Sequence, residues 1–325
     1  MKILVTGGAG YIGSHACKAL AAAGLEPVVY DNLSRGNRWA VKWGPLEVGD
    51  IGDEKRLRAV LEQHQPAAII HFAAFAYVGE SVENPNLYYQ NNVCGSATLL
   101  RTICQWKPIP VVFSSTCATY GVPDQVPIPE NHPQRPINPY GFTKLVVEHI
   151  LADVDRAHGL RSVSLRYFNA AGGDPDNEIG EAHDPETHLI PLVLAAARDG
   201  TAVTVFGNDY DTADGTCVRD YIHVADLADA HVRALKYLLA GGATTAMNLA
   251  NARGYSVMEV IETAKRVCGK PIRIDMAQRR PGDPAALIGS AERARELLGW
   301  IPARSALEVQ LSDAWNWMRK SAANR

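Results

Sequence analysis

Tyr140 and Lys144 stand four residues apart in Tyr140-Gly141-Phe142-Thr143-Lys144. On a helix that spacing puts a phenol and an ammonium on one face. A cation beside a phenol favours the phenolate, and a tyrosine so activated takes a proton from a substrate hydroxyl. Moving a phenol from about 10 toward 7 needs roughly 4 kcal/mol of differential stabilisation, which Lys144 and a cationic ring bound nearby would share. The plain alternative is an amphipathic helix whose Tyr and Lys flank the core, with Val147, Leu151 and Val154 continuing the buried face. Upstream, Phe113-Ser114-Ser115-Thr116 closes an apolar run. A hydroxyl there suits a substrate hydroxyl and a proton relay, although such residues also bridge turns and cap helices.

A third cluster is glycine-rich. Gly7-Gly8-Ala9-Gly10-Tyr11-Ile12-Gly13 follows Ile3-Leu4-Val5 and precedes a helical pattern. Small residues let the backbone turn tightly and a pyrophosphate approach, and the helix N-terminus offers free N–H groups. Asp31 ends the next apolar run, 18 residues after Gly13. A carboxylate there accepts from a ribose diol and repels a 2′-phosphate, which favours NAD over NADP. Asp50, in Val48-Gly49-Asp50-Ile51, is read either as an adenine contact or as the N-cap of the helix that follows.

These groups need elements to position them. The first 170 residues alternate β-branched runs with helical patterns. Strands are expected at Lys2–Thr6, Pro27–Tyr30, Leu46–Val48, Ala68–His71, Val111–Phe113 and Ser162–Tyr167. Helices are expected at Ile12–Ala23, Asp53–Gln63, Pro85–Gln105 and Pro139–His158. Such alternation argues for an α/β fold, a doubly wound parallel sheet of Rossmann type with helices on both faces. After about residue 172 the rhythm changes. Gly172–Pro185 reads as a loop. Helices follow at His188–Arg198, Val224–Leu239, Val257–Cys268, Ala291–Leu298 and Ala306–Arg319, with one strand at Val203–Phe206. The expected division is a nucleotide-binding domain over 1–172 and a smaller mixed α/β substrate domain over 173–325, some of whose segments cross back.

Composition narrows the class. The 325 residues are 47% hydrophobic and 21% charged, which excludes a disordered, collagen-like or coiled-coil chain. A net charge of −3 gives no basic excess for nucleic acid. No segment approaches the roughly 20 apolar residues of a membrane span, and a cytoplasmic protein is expected. The six cysteines are scattered without a C-x-x-C and read as reduced thiols.

The motifs together resemble the extended short-chain dehydrogenase/reductase family, and within it the UDP-glucose 4-epimerases. The matches run end to end: Val5 to His15, Tyr30 to Leu33, His71 to Ala74, Val78 to Ser81, Tyr88 to Val93, Phe113 to Thr116 and Pro139 to Gly141. Arg166 to Asn169, Phe206 to Tyr210, Asp214 to Val224 and Arg279 to Asp283 continue them, the last three being far more specific than the glycine turn. The resemblance implies NAD that stays bound and is regenerated each turnover. Tyr140 would take the proton of the sugar 4-hydroxyl as C4 passes hydride to NAD, and the 4-keto sugar would rotate before hydride returns to its other face. Thr116 matches the hydroxyl that bonds O4. Lys144 matches the lysine that holds the nicotinamide ribose.

Gly7, Gly10, Tyr11, Ile12, Gly13, Asp31, Asn32, Asp50, Ile51, Phe72, Ala73, Ala74, Asn91, Ser114 and Phe168 match NAD contacts in the same resemblance. Thr116, Asn169, His188, Leu189, Thr204, Phe206, Arg219, Arg280, Asp283 and Leu287 match the UDP-sugar side. Two diphosphates need cationic partners, and arginine forks suit them. Arg219 and Arg280 are the candidates, with an ion pair to Asp220 or Asp283 as the alternative. A homodimer packed through Pro85–Gln105 and Pro139–His158 is also implied.

Three positions depart from the best-known bacterial pattern. Ala76 stands where a coenzyme-contacting lysine often sits. His188 stands where an asparagine contacts nucleotide. Leu287 borders the sugar 2-substituent, where a large residue excludes N-acetyl sugars and a small one admits them; leucine is intermediate, and UDP-glucose and UDP-galactose are expected to be preferred. A metal role for His183 and His188 is not expected, since no third ligand is evident. Phe75 to Ser81 and Ser115 to Tyr120 also resemble UDP-xylose/UDP-arabinose 4-epimerases, and a pentose remains the alternative substrate. A 4,6-dehydratase needs an acid and a base after Thr116, typically Asp-Glu; Cys117-Ala118 stand there instead. A simple NAD-dependent dehydrogenase would release reduced cofactor, and a non-catalytic regulator would be expected to lose Tyr140, Lys144 or Thr116.

Overall fold

Ile3 and Val5 point to one side of a central strand and Leu4 to the other, and all three are fully buried. That parity fixes a sheet covered on both faces. The computed structural model describes residues 1–280 and 283–323. Its elements in chain order are β1 (Lys2–Thr6), α1 (Tyr11–Ala22), β2 (Glu26–Asp31), β3 (Leu46–Val48), α2 (Glu54–His64), β4 (Ala68–His71), α3 (Val78–Glu83), α4 (Pro85–Tyr88), a π-helical segment (Tyr89–Gly95), α5 (Ser96–Trp106), β5 (Val111–Thr116), α6 (Pro139–His158) and β6 (Ser162–Tyr167). Then come β7 (Asn169–Ala171), α7 (Leu189–Asp199), β8 (Ala202–Phe206), β9 (Val218–His223), α8 (Val224–Leu239), β10 (Thr245–Leu249), β11 (Gly254–Ser256), α9 (Val257–Cys268), β12 (Arg273–Ala277), β13 (Ala286–Leu287), α10 (Glu292–Leu298) and α11 (Leu307–Ala323).

Seven strands form one parallel sheet in the order β10-β6-β5-β4-β1-β2-β3. The order reverses between β1 and β4, the switch point where α/β sheets take their ligands. One face packs Ile3, Val5, Leu20, Ile70 and Val163 against Leu227 and Leu235 of α8. The other packs Leu4, Ile69 and Val111 against Leu57, Leu99 and Leu151 from α2, α5 and α6. A separate core of Val193, Val205, Tyr221, Val260, Ile261 and Leu311 holds the rest of the second half. There β9 pairs with β7, β11 and β13, and β8 pairs with β12.

The sequence misses six strands: β7, β9, β10, β11, β12 and β13. Most are short and carry no clean alternation, so their partners rather than their own propensity make them strands. Pro85–Gln105, expected as one helix, is divided into α4, the π-helical segment and α5. The wider turn sets Gly95 against Ile51, where a Cβ would lie 2.8 Å from Ile51 Cδ1. Gly172–Pro185 is a loop, but an anchored one: Lys18 of α1 reaches Asp174, Asp176 and Glu178 at 2.7–2.8 Å. Among the described residues no helix is long and apolar enough to cross a membrane.

Candidate functional site

The phosphate turn is shaped by contacts that leave no room for side chains. A Cβ on Gly13 would lie 2.2 Å from the Gly7 carbonyl oxygen, and one on Gly7 would lie 2.5 Å from Ala73 N. Gly7 adopts φ +72°, a conformation cheap only for glycine. Gly10 starts α1 with no side-chain cap and no acidic residue in the first turn. The first N–H groups of a helix lack intrahelical acceptors, so this end presents donors and positive potential to an anion. The cradle fits a dinucleotide pyrophosphate.

Asp31 follows on β2, 8% exposed. Its carboxylate accepts from Ala9 N at 3.0 Å and Leu33 N at 2.8 Å, which fixes its orientation at the end of the strand. Burial raises its pKa, and the two N–H bonds oppose that. Asp50 is not the helix cap. Asp53 caps α2 by accepting from Arg56 N at 3.0 Å, while Asp50 accepts from Asn32 Nδ2 at 2.7 Å and Gly52 N at 2.7 Å. Asn32, Asp50 and Asp31 thus gather beside the turn. Phe72 N and Ala73 N donate to Thr6 O at 2.9 and 3.1 Å, which brings the end of β4 against Gly7, with Ala74 next along the chain. Ile51 is buried nearby. Tyr11 OH donates to Gly172 O at 2.6 Å, tying α1 to the anchored loop. Ile12 is partly buried against the sheet.

The residues expected to handle the proton lie about the C-terminal end of β5. Lys144, 3% exposed, donates from Nζ to Ser114 O at 2.7 Å and lies 4.9 Å from the Phe113 ring centroid. Burial lowers its pKa to about 7, with Glu148 opposing. Burial likewise pushes the Tyr140 phenol well above its usual value, with the Thr116 side chain beside it opposing this in part. Among the chain's own groups, burial therefore works against ionisation of the Tyr140 phenol. The Ser114 hydroxyl pairs with Tyr167 OH. Phe168 is buried just beyond it.

Several positioning residues escaped the sequence reading. Ser81 Oγ accepts from Tyr140 N at 3.2 Å. Asn92 accepts from Phe75 N at 2.8 Å and donates to Phe75 O at 3.0 Å and Thr143 Oγ1 at 3.1 Å. Its neighbour Asn91, the residue expected to touch NAD, donates to it at 2.9 Å. Glu148 accepts from Ser115 and from Arg166 Nη2 at 2.6 Å, with both side chains under a tenth exposed. Arg166 also bonds Tyr120 OH at 3.0 Å, which donates to Asn248 on β10 at 2.7 Å. Removing one partner of a buried ion pair strands the other. Glu148→Gln should therefore lower the unfolding free energy by about 3–5 kcal/mol in urea titrations. A change below 1 kcal/mol would place the pair's contribution elsewhere.

The second half supplies the opposite wall. Asn169 on β7 donates to Asp220 O at 3.0 Å. Leu287 on β13 is in register with Arg219 on β9, and Arg219 forms an ion pair with Asp283, not with Asp220. Asp220 instead accepts from Asn251 N and Gly289 N, and burial raises its pKa to about 7. The Arg280 guanidinium lies 4.1 Å from the Phe206 ring centroid. Thr204 precedes Phe206 on β8 and is exposed. Pro281 and Gly282 of the Arg279–Asp283 motif lie outside the described residues. Ala76 is exposed and brings no cation, but Arg35, missed in the sequence, lies 5.3 Å from the Phe75 ring and pairs with Glu80.

His188 sits immediately before Leu189, at the start of α7. The sequence offers no third ligand beside His183 and His188; the structure brings Glu181 and Glu186 to them. Burial pulls both histidines down, but the hydrogen bonds to the two glutamates outweigh it and hold His183 near 9 and His188 near 10.

A phosphate turn at the sheet's switch point, with a Tyr-x-x-x-Lys helix beside it, defines a dinucleotide-dependent enzyme of the short-chain dehydrogenase/reductase class. The family model described as GDP-mannose 4,6 dehydratase matches residues 4–310. A UDP-glucose 4-epimerase of Rhizobium meliloti (strain 1021) is 56% identical over 319 residues, 97% of this chain and 96% of that protein. The crystal structure of UDP-glucose 4-epimerase from Brucella ovis in complex with NAD superposes with a TM-score of 0.95 at 52% identity, covering 97% of each chain. That from Bifidobacterium longum, in complex with NAD+ and UDP, gives 0.94 at 35% identity over 100% of both. The chain belongs to the UDP-glucose 4-epimerase family.

Proposed function

We propose that this chain interconverts UDP-glucose and UDP-galactose as an NAD-dependent 4-epimerase. The observation that carries the reading is the meeting of Tyr140, Thr116 and Lys144 at the end of β5, between the phosphate turn and the wall that holds Arg219 and Arg280. NAD, when bound, supplies a reversible hydride acceptor at C4. The chain does the rest. Gly7 to Gly13 receive the pyrophosphate, with Asp31, Asn32 and Asp50 at the adenosine end. Phe72 to Ala74, Asn91, Ser114 and Phe168 line the way to the nicotinamide.

Tyr140 takes the O4 proton and later returns it, Thr116 orients O4, and Lys144 holds its charge beside the phenol and bonds the ribose. Arg219 and Arg280 grip the diphosphate, with Asn169, His188, Leu189, Thr204, Phe206 and Asp283 around the nucleotide. A firmly held UDP and a loosely held sugar let a 4-keto intermediate present both faces. Dehydration has no support here: Cys117 is a thiol that burial pushes up to about 12, and Ala118 carries no acid or base.

The nucleotide domain is assigned to 1–172 and the sugar domain to 173–325, with α8 and β10 crossing back to the first. A homodimer through α4–α5 and α6 is the proposed assembly. Exposed Leu87, Tyr89 and Phe142 on those elements support it, and the cytoplasm is the proposed compartment.

The test is purified protein without added cofactor, offered UDP-galactose, UDP-xylose and UDP-GlcNAc, with products resolved by chromatography. UDP-galactose should yield UDP-glucose. UDP-GlcNAc should turn over roughly 10–200-fold more slowly, the range for one misfitting group in a pocket, because Leu287 fills the space its acetamide needs. Equal rates would overturn the Leu287 reading. Reaction of UDP-xylose alone would keep the mechanism and overturn the hexose assignment.

A further inference from the structure

We propose that Glu181, His183, Glu186 and His188 bind one late first-row divalent cation, zinc by preference, which fixes the turn of the loop before α7. The proposal rests on the chain's geometry; it shares His188 with the nucleotide side of the proposed function, and its test reads bound metal instead of activity.

The four ligand atoms lie within 4.8 Å of one another. His183 Nδ1 is 3.1 Å from Glu181 Oε1 and 3.6 Å from Glu186 Oε2. His188 Nδ1 is 2.9 Å from Glu181 Oε1 and 2.9 Å from Glu186 Oε1. A tetrahedral site with bonds of about 2.0–2.1 Å has ligand–ligand edges of roughly 3.4 Å, so the set is already at coordination spacing. Two imidazoles with two carboxylates suit zinc and its neighbours rather than calcium or magnesium.

Charge points the same way. Among the described residues neither glutamate forms an ion pair with a lysine or arginine, although the Glu181 side chain is only 8% exposed. A divalent ion with two carboxylates and two neutral imidazoles is a neutral unit. Without it, charge balance demands two imidazolium rings whose centroids are 4.9 Å apart.

The ligands are also held from behind. Glu186 Oε1 accepts from Thr187 N at 2.8 Å and His188 N at 2.9 Å, and Glu181 O accepts from Trp317 Nε1 at 3.1 Å. Such outer contacts fix ligand orientation. His183 stands edge-on to Tyr11 at 6.2 Å and to Tyr77 at 5.9 Å, so the ring that would hold the ion is packed against α1 and the segment after β4.

The experiment uses tag-free full-length protein, stripped with EDTA, given zinc sulfate, desalted, and measured for metal by mass spectrometry. The wild type should retain one zinc per chain and gain thermal stability with it. His188→Ala and Glu186→Gln should each lose more affinity than the roughly 10–100-fold typical of an outer contact. Cobalt should give the wild type an intense four-coordinate visible spectrum, which decides the question even if a variant folds poorly. No retained zinc, equal retention by both folded variants, or a six-coordinate cobalt spectrum would each overturn the proposal. Epimerase activity enters none of these readouts.

Discussion

Tyr140→Phe should lower kcat by roughly 10²–10⁴, the range for loss of a positioned general acid–base, while the protein still purifies with its NAD. The substitution keeps the half-buried ring and removes only the phenolic oxygen beside Thr116. Fold and coenzyme cradle should stay intact, and KM for UDP-galactose should change little. The measurement is initial rate together with NAD released on denaturation. A variant above a tenth of wild-type activity would show that another group takes the O4 proton. Burial works against charge on both groups, raising the Tyr140 phenol and lowering Lys144 to about 7.

Gly13→Ala should remove most of the bound coenzyme. The new methyl would stand 2.2 Å from the Gly7 carbonyl oxygen, and both partners are backbone, so the turn itself must open. Overpacking of this kind costs about 1–3 kcal/mol, equivalent to a roughly 5–150-fold weaker hold on NAD if the strain falls on the bound state. The check is NAD content after gel filtration, and activity restored by added NAD. Full NAD content in a folded variant would mean that the pyrophosphate does not use this cradle.

The coenzyme half was legible because its signals are local. The glycine turn, the strand before it and the helix after it fall within 22 residues, and the parity of Ile3, Leu4 and Val5 is readable by eye. Tyr140 and Lys144 were legible for the same reason. The opposite wall was not. β9 holds Arg219 in a recognised motif, yet its strand character comes from three neighbours far away in sequence. Glu148 looks like any charged helix residue until α6 lies over β6 and Arg166 meets it. His183 and His188 read as loop histidines because no third ligand is evident beside them in the sequence. A glutamate stands two residues before each histidine, and only the fold of the loop brings the four side chains together.

The return of β10 to the sheet has a consequence for how the molecule is made. Residues 1–172 leave the ribosome carrying every coenzyme contact assigned above, yet β6 still has a bare edge and α1 lacks α8 against it. The cradle cannot be completed until about residue 249 has emerged. An exposed, apolar strand edge in the meantime invites pairing with another nascent chain. The two halves are interleaved in space, so a fragment cut at residue 172 would lack β10 beside β6 and α8 against α1.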